Sequence, residues 1–175
     1  FEDFLSKLEK EGVEIVTRKD DPKIETFEQA LRTIPEFQPG LSAWEIQWPA
    51  LLLRDRGRNQ IKDTLVKRFE FGERMSLNEY RLMLGALDKL RENFTSLEGI
   101  ANGFITLSTP TMPPIGKETG DSVFGDPSSC LEAPAWNIPV LQEVGLPLGV
   151  QLLGNKHQDY TLAQIGKWMM EKFLR

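Results

Sequence analysis

The stretch Asn137-Ile-Pro-Val-Leu-Gln-Glu-Val-Gly-Leu-Pro-Leu-Gly-Val-Gln-Leu-Leu-Gly154 decides the fold. It reads as two short apolar strands joined by a turn. Ile138 to Leu141 is the first run. Pro139 inside it has no N–H for a ladder, which points to an edge strand, a bulge or a strand start. Val144-Gly145 reads as the turn. Leu148 to Leu153 is the second run, punctuated by Gly149 and Gly154, where glycine marks a bulge or a close backbone approach. Both runs show little polar alternation, the pattern of strands covered on both faces.

Outward from this hairpin the chain is mostly helical. Phe4, Leu5 and Leu8 mark an amphipathic helix ending near Gly12. Val13 to Thr17 alternates and is β-branched, which predicts a strand. Pro22 suits the first turn of a helix carrying Phe27, Ala30, Leu31 and Ile34, and Pro35 to Gly40 breaks that pattern. Leu41 to Leu53 is strongly apolar. Trp44 and Trp48, four apart, are expected on one buried helix face, with Pro49 kinking the helix or starting a second one. Gln60 to Phe71 is amphipathic through Ile61, Leu65 and Phe69. Ser76 and Glu79 form a capping box for a long helix striped by Tyr80, Leu84, Leu87, Leu90 and Phe94. Phe104 to Ser108 is a strand that ends at Thr109-Pro110, and Asp159 to Leu174 is a closing helix. The class is α/β with about four strands. Four strands are few for so many helices, so one apolar sheet face lacks a partner within the chain.

The 175 residues suffice for one ordinary domain with a core, and no internal boundary is evident. A net charge of −5 and a pI near 5.1 argue against a nucleic-acid surface, which needs clustered Lys and Arg. Arg54-Asp-Arg-Gly-Arg58 is short and interrupted and reads as a solvated helix end or loop. One cysteine, Cys130, permits no intrachain disulfide and suits a reducing cytosol. No apolar run reaches the length of a membrane span, so no membrane partner is expected.

The constellations that invite chemistry read as structure. His157 with Asp159 lacks the order and spacing of a catalytic triad, and Asp159 is expected to cap the last helix. Cys130 reads as a buried thiol, and Ser128-Ser129 as a loop. The glycine-aspartate pairs at 120–121 and 125–126 match neither an EF-hand nor a P-loop and suit turns. No metal site and no cofactor are expected.

Residues 145–154 read Gly-Leu-Pro-Leu-Gly-Val-Gln-Leu-Leu-Gly, which resembles the Gly-Leu-Pro-x-Gly-x-Gln-Leu-x-Gly strand of amidase signature hydrolases. The resemblance extends to Phe71 to Tyr80, a glycine before a capped helix. It also covers Leu107-Ser-Thr-Pro-Thr-Met-Pro-Pro114, Thr119 to Gly125, Leu131-Glu-Ala-Pro-Ala135, and Asp159 to Leu162. It covers most of residues 60–175 and is loose over 1–60. Glu132 departs from the family, which prefers glycine there. If that position needs positive φ, glutamate costs on the order of 1 kcal/mol.

The resemblance implies the C-terminal portion of a single amidase domain: a mixed β-sheet covered by helices, incomplete without an N-terminal half. It implies amide-bond hydrolysis by a serine, a second serine in a cis peptide and a lysine, all in that missing half. No catalytic residue is therefore assigned here, and the chain alone is expected to be inactive. It also places Asp121, Phe124, Ser129 and Cys130 on the loop and turn nearest the nucleophile, as substrate-binding residues. The expected partners are a small-molecule amide and the missing half, or a second chain that covers exposed apolar surface. The alternatives are a non-catalytic subunit or interaction domain with the same fold, and an amidotransferase subunit. The expected location is cytoplasmic.

Overall fold

The computed structural model describes residues 1–57, 61–116 and 120–174. These residues form helices α1 (Glu2–Lys10), α2 (Pro22–Leu31), α3 (Ile34–Glu45), α4 (Gln47–Gly57), α5 (Asp63–Arg74), α6 (Leu77–Thr95), α7 (Asp126–Leu131) and α8 (Asp159–Phe173). The strands are β1 (Phe104–Leu107), β2 (Ala135–Glu143) and β3 (Leu146–Leu153). The chain divides into two compact units, Phe1–Glu28 with Asn93–Arg175, and Gln29–Glu92.

The first unit is built on a sheet of order β1-β3-β2, antiparallel at both pairings. The mixed pairing expected of the sheet is not seen among the described strands, which pair only antiparallel. β2 is an edge strand, and its register shifts between Ile138 and Leu141, a span that holds Pro139 and Val140. A residue without an N–H is tolerated where the ladder is interrupted. The turn is a two-residue loop between Glu143 and Leu146 with Val144 at φ 49° and Gly145 at φ 78°. Positive φ at both central residues is the geometry that suits the right-handed twist of paired strands.

Side chains alternate across a strand. On one face Ile138, Val150 and Leu152 meet Leu162 and Met169 of α8 and Phe4 and Leu8 of α1, all buried. Val13, Ile15, Ile105, Ile165 and Phe173 pack around that core, and the Phe4 and Phe173 rings meet edge to face at 5.1 Å. Each fully buried aliphatic or aromatic side chain here contributes about 1.5–3 kcal/mol of transfer free energy. On the opposite face Phe104 of β1 meets Phe94 and Phe27, at 5.4 and 6.3 Å between ring centres.

In the second unit α3 crosses α5 at Gly72, where a Cβ would lie 2.3 Å from the Ala43 carbonyl oxygen. Trp44 stacks on Tyr80 with ring centres 5.1 Å apart, and the Tyr80 hydroxyl donates to Glu45 Oε1 at 3.3 Å. Burial, with the Glu45 carboxylate beside it, raises the Tyr80 phenol above its usual value. The capping box is formed. The Glu79 N–H donates to Ser76 Oγ at 3.2 Å, and the Ser76 N–H and hydroxyl both donate to Glu79 Oε2 at 2.7 Å. These donors hold the Glu79 carboxyl below its usual value.

Several expectations are corrected. Val13 to Thr17 is not a strand; Val13 and Ile15 bury against the core without ladder pairing. Pro35 to Gly40 does not end a helix but lies within α3, because Pro35 occupies its first turn and only Pro39 removes an internal hydrogen bond. Trp44 and Trp48 do not share a buried helix face: one helix ends and the next begins at Ile46, Pro49 enters the first turn of α4, and Trp48 is 76% exposed. Ser128 and Ser129 lie on α7, not in a loop. Asp159 is not the cap of α8 but its first residue, where its charge favours the helix N-terminus. The expected helix start at Gln60 and the end of the Arg54–Arg58 segment fall outside the described residues. α5 begins at Asp63.

Candidate functional site

The sheet face opposite α8 carries a polar row. Thr106 of β1 pairs with Gln151 of β3, and Gln151 pairs with Asn137 of β2, so the three lie side by side across the sheet. Beyond this row the Ser108 N–H donates to the Gly149 carbonyl at 3.0 Å, which continues the β1–β3 pairing by one residue. Gly149 is bare for a reason that its neighbours supply. A Cβ there would lie 1.8 Å from Asn137 Oδ1 and 2.4 Å from Ser108 Oγ.

Residues 120–131 are tied to this face. Gln151, buried to 8% exposure, donates from Nε2 to the Phe124 carbonyl at 2.7 Å. The segment is internally braced. The Asp121 carboxylate accepts from the Val123 N–H at 2.9 Å, and the Gly125 N–H donates to the Ser122 carbonyl at 2.7 Å. The Ser128 hydroxyl donates to the Gly125 carbonyl at 2.9 Å. Pro127 in its first turn starts the six-residue α7, and Glu132 ends it at φ 53°. Glu132 thus holds the left-handed conformation for which glycine is suited. Its carboxylate pairs with Lys156, and the Gly154 N–H donates to the Pro134 carbonyl at 2.9 Å. These two contacts fasten the turn after α7 to the end of β3.

The four expected binding residues fall on this one segment but differ in access. Asp121 and Ser129 are exposed, Phe124 is half-buried, and Cys130 is buried beside Leu131. Thr119, at the start of the expected loop, lies outside the described residues. His157 is exposed, at φ 64° before α8. Among the described residues no group of His, Cys, Asp and Glu has the arrangement of a metal site.

Ser108, Asn137 and Gln151 are not among the expected binding residues, although the signal for them is in the sequence. Gln151 is the one polar residue in Leu148 to Leu153, and Thr106 and Ser108 are two apart at the end of a strand. Period two puts such residues on one face. Chemically the arrangement offers uncharged donors and acceptors on a rigid sheet floor, edged by a braced loop.

No family model matches the chain. Among curated proteins it is 34% identical over 79 residues to a glutamyl-tRNA(Gln) amidotransferase subunit from Archaeoglobus fulgidus, a match covering 38% of this chain and 17% of that one. Among solved structures it is similar to an amidase, with a TM-score of 0.73 and 19% identity over 82% of this chain and 36% of that one. It is also similar to a bacterial aryl acylamidase of the amidase signature family, with a TM-score of 0.61 and 15% identity over 78% of this chain and 32% of that one. The chain thus spans about a third or less of the length of the proteins it matches. Its fold is a part of the amidase signature fold.

Proposed function

We propose that this chain, which resembles amidase signature enzymes in sequence and in fold, is the C-terminal portion of a single amide-hydrolysing domain of that family. The observation that carries the reading is the family-like strand Gly145 to Gly154, placed at the centre of the sheet with its glutamine facing residues 120–131. In this reading both compact units belong to one domain, and the rest of the fold completes the sheet and its cover.

The chemistry is then that of an activated nucleophile. A hydroxyl attacks poorly until an adjacent base takes its proton. A lysine serves as that base when desolvation lowers its pKa, and backbone N–H groups stabilise the oxyanion. The family assigns these roles to a Ser-cisSer-Lys set in the N-terminal half, and no residue of this chain is given one. The contribution of the chain is sheet, cover helices and one wall of the substrate pocket. Of the expected binding residues, this reading gives Phe124 and Ser129, which keep accessible surface, the role of presenting side chains to that wall. Asp121 shapes the loop through its bond to Val123, and Cys130 is buried within α7. The substrate is a small amide, and the location is the cytoplasm, which suits a chain with one cysteine.

The curated relative favours a second reading, an amidotransferase subunit, in which the same hydrolysis serves a partner protein. Substrate preference tests the pocket role common to both. In the full-length protein, Phe124→Ala is expected to change the ranking of kcat/KM across aryl and aliphatic amides while leaving the melting temperature within a few degrees. An unchanged ranking across several acyl groups would remove Phe124 from the pocket. Amide turnover that depends on a co-purifying protein partner would select the second reading.

A further inference from the structure

We infer that Ser108 and Asn137, converging over the bare backbone of Gly149, form a subsite for a neutral hydrogen-bonding group on the acyl portion of an amide substrate. This rests on the hydrolase reading and goes beyond it by naming the chemistry the pocket selects. Both oxygens occupy space that the side chain of any residue other than glycine at 149 would fill. They arrive from the two strands flanking β3, Ser108 just past the end of β1 and Asn137 from β2. Neither side chain takes part in a hydrogen bond among the described residues, whereas their neighbour Gln151 is committed to the Phe124 carbonyl. Asn137 is exposed and Ser108 half-buried, so both remain reachable.

Their inventory is a hydroxyl, a carboxamide N–H pair and a carboxamide oxygen, which donate and accept without charge. The charge of the segment that carries Asn137 and Gly149 narrows the ligand. From Gly120 to Asn155 there is no Lys or Arg, and there are four acidic residues, Asp121, Asp126, Glu132 and Glu143. Lys156, which follows Asn155, pairs with Glu132. A carboxylate bound here would find no cation within that segment. A hydrocarbon would dry two polar side chains without pairing them, which is how a hydrogen-bonding site rejects an apolar isostere. A carboxamide or a hydroxyl satisfies both.

Three amides of nearly the same shape test this in the full-length protein: succinamide, 4-methylpentanamide and succinamate. Succinamide is expected to have the highest kcat/KM. Asn137→Ala and Ser108→Ala are each expected to lower it about three- to tenfold while raising that of 4-methylpentanamide, whose methyl groups no longer dry an unpaired polar side chain. Equal losses for both substrates, or none, would overturn the subsite. Gly149→Ala is expected to abolish the preference by displacing both oxygens, and the two alanine variants carry the test if it does not fold. Saturation-transfer NMR on succinamide gives a readout independent of turnover. If no amide is hydrolysed the hydrolase reading fails, yet a saturable signal lost in Asn137→Ala would still support the subsite. No signal in the wild-type protein would overturn it.

Discussion

At the scale of the residue, the informative positions are those where a side chain and its backbone disagree. Val144 is β-branched, 86% exposed, and held at φ 49°. The left-handed conformation costs a non-glycine residue about 1–2 kcal/mol, and Val144 recovers nothing by burial. The two-residue hairpin prefers Asn-Gly at these positions. Val144→Asn is therefore expected to stabilise the protein by about 0.5–1 kcal/mol, read as a higher denaturant midpoint at constant slope. A lower midpoint would show that the turn is not held as described. The turn itself is legible at Val144-Gly145 because glycine announces it, but the strain at Val144 is not, since nothing in a valine predicts positive φ. Glu132 is the reverse. A resemblance that sets glycine at 132 points to its left-handed backbone, while its ion pair with Lys156 depends on a contact 24 residues away that only the folded chain reveals.

At the scale of the element, what reads well is what local chemistry decides. Pro139 limits β2 to an edge with an interrupted ladder, and Ser76 with Glu79 fixes the start of α6. What reads poorly is decided by partners. Val13 to Thr17 has the composition of a strand, yet a strand exists only where another pairs with it, and these residues instead line the core beside α1. The covered-strand pattern holds for β3, buried from Gly149 to Leu153, and fails for β2, which has one buried residue. The α3–α5 crossing is likewise invisible in sequence, because a helical glycine such as Gly72 looks like a defect until its neighbour is known. There the Ala43 carbonyl, a backbone group that cannot rotate away, would sit 2.3 Å from an added Cβ. Gly72→Ala is expected to cost about 1–3 kcal/mol by forcing the helices apart. A stability unchanged in a thermal melt would mean that the crossing is looser than described. The candidate site follows the same division. The resemblance points to Asp121, Phe124, Ser129 and Cys130 as an expectation, whereas Ser108 and Asn137 come together only across the sheet.

At the scale of the whole molecule, the chain displays apolar surface that a complete fold would cover. Trp48, Leu52 and Leu53 on α4, Leu82 on α6, and Ile115, Trp136 and Leu146 in the first unit are all exposed. Single exposed apolar residues are ordinary, but this number of large ones is more than function at one pocket requires. β1 and β2 each leave one edge unpaired among the described residues, and an open edge invites another strand. Both features agree with a chain that spans about a third of its structural neighbours and with the proposal that the hydrolytic groups lie in the remaining part. The direct measurement is amide hydrolysis, aryl and aliphatic, by this chain alone beside the full-length protein that contains it. The account predicts turnover by the full-length protein and none by the 175-residue chain. Turnover by the chain alone, abolished by a substitution within residues 1–175, would contradict it.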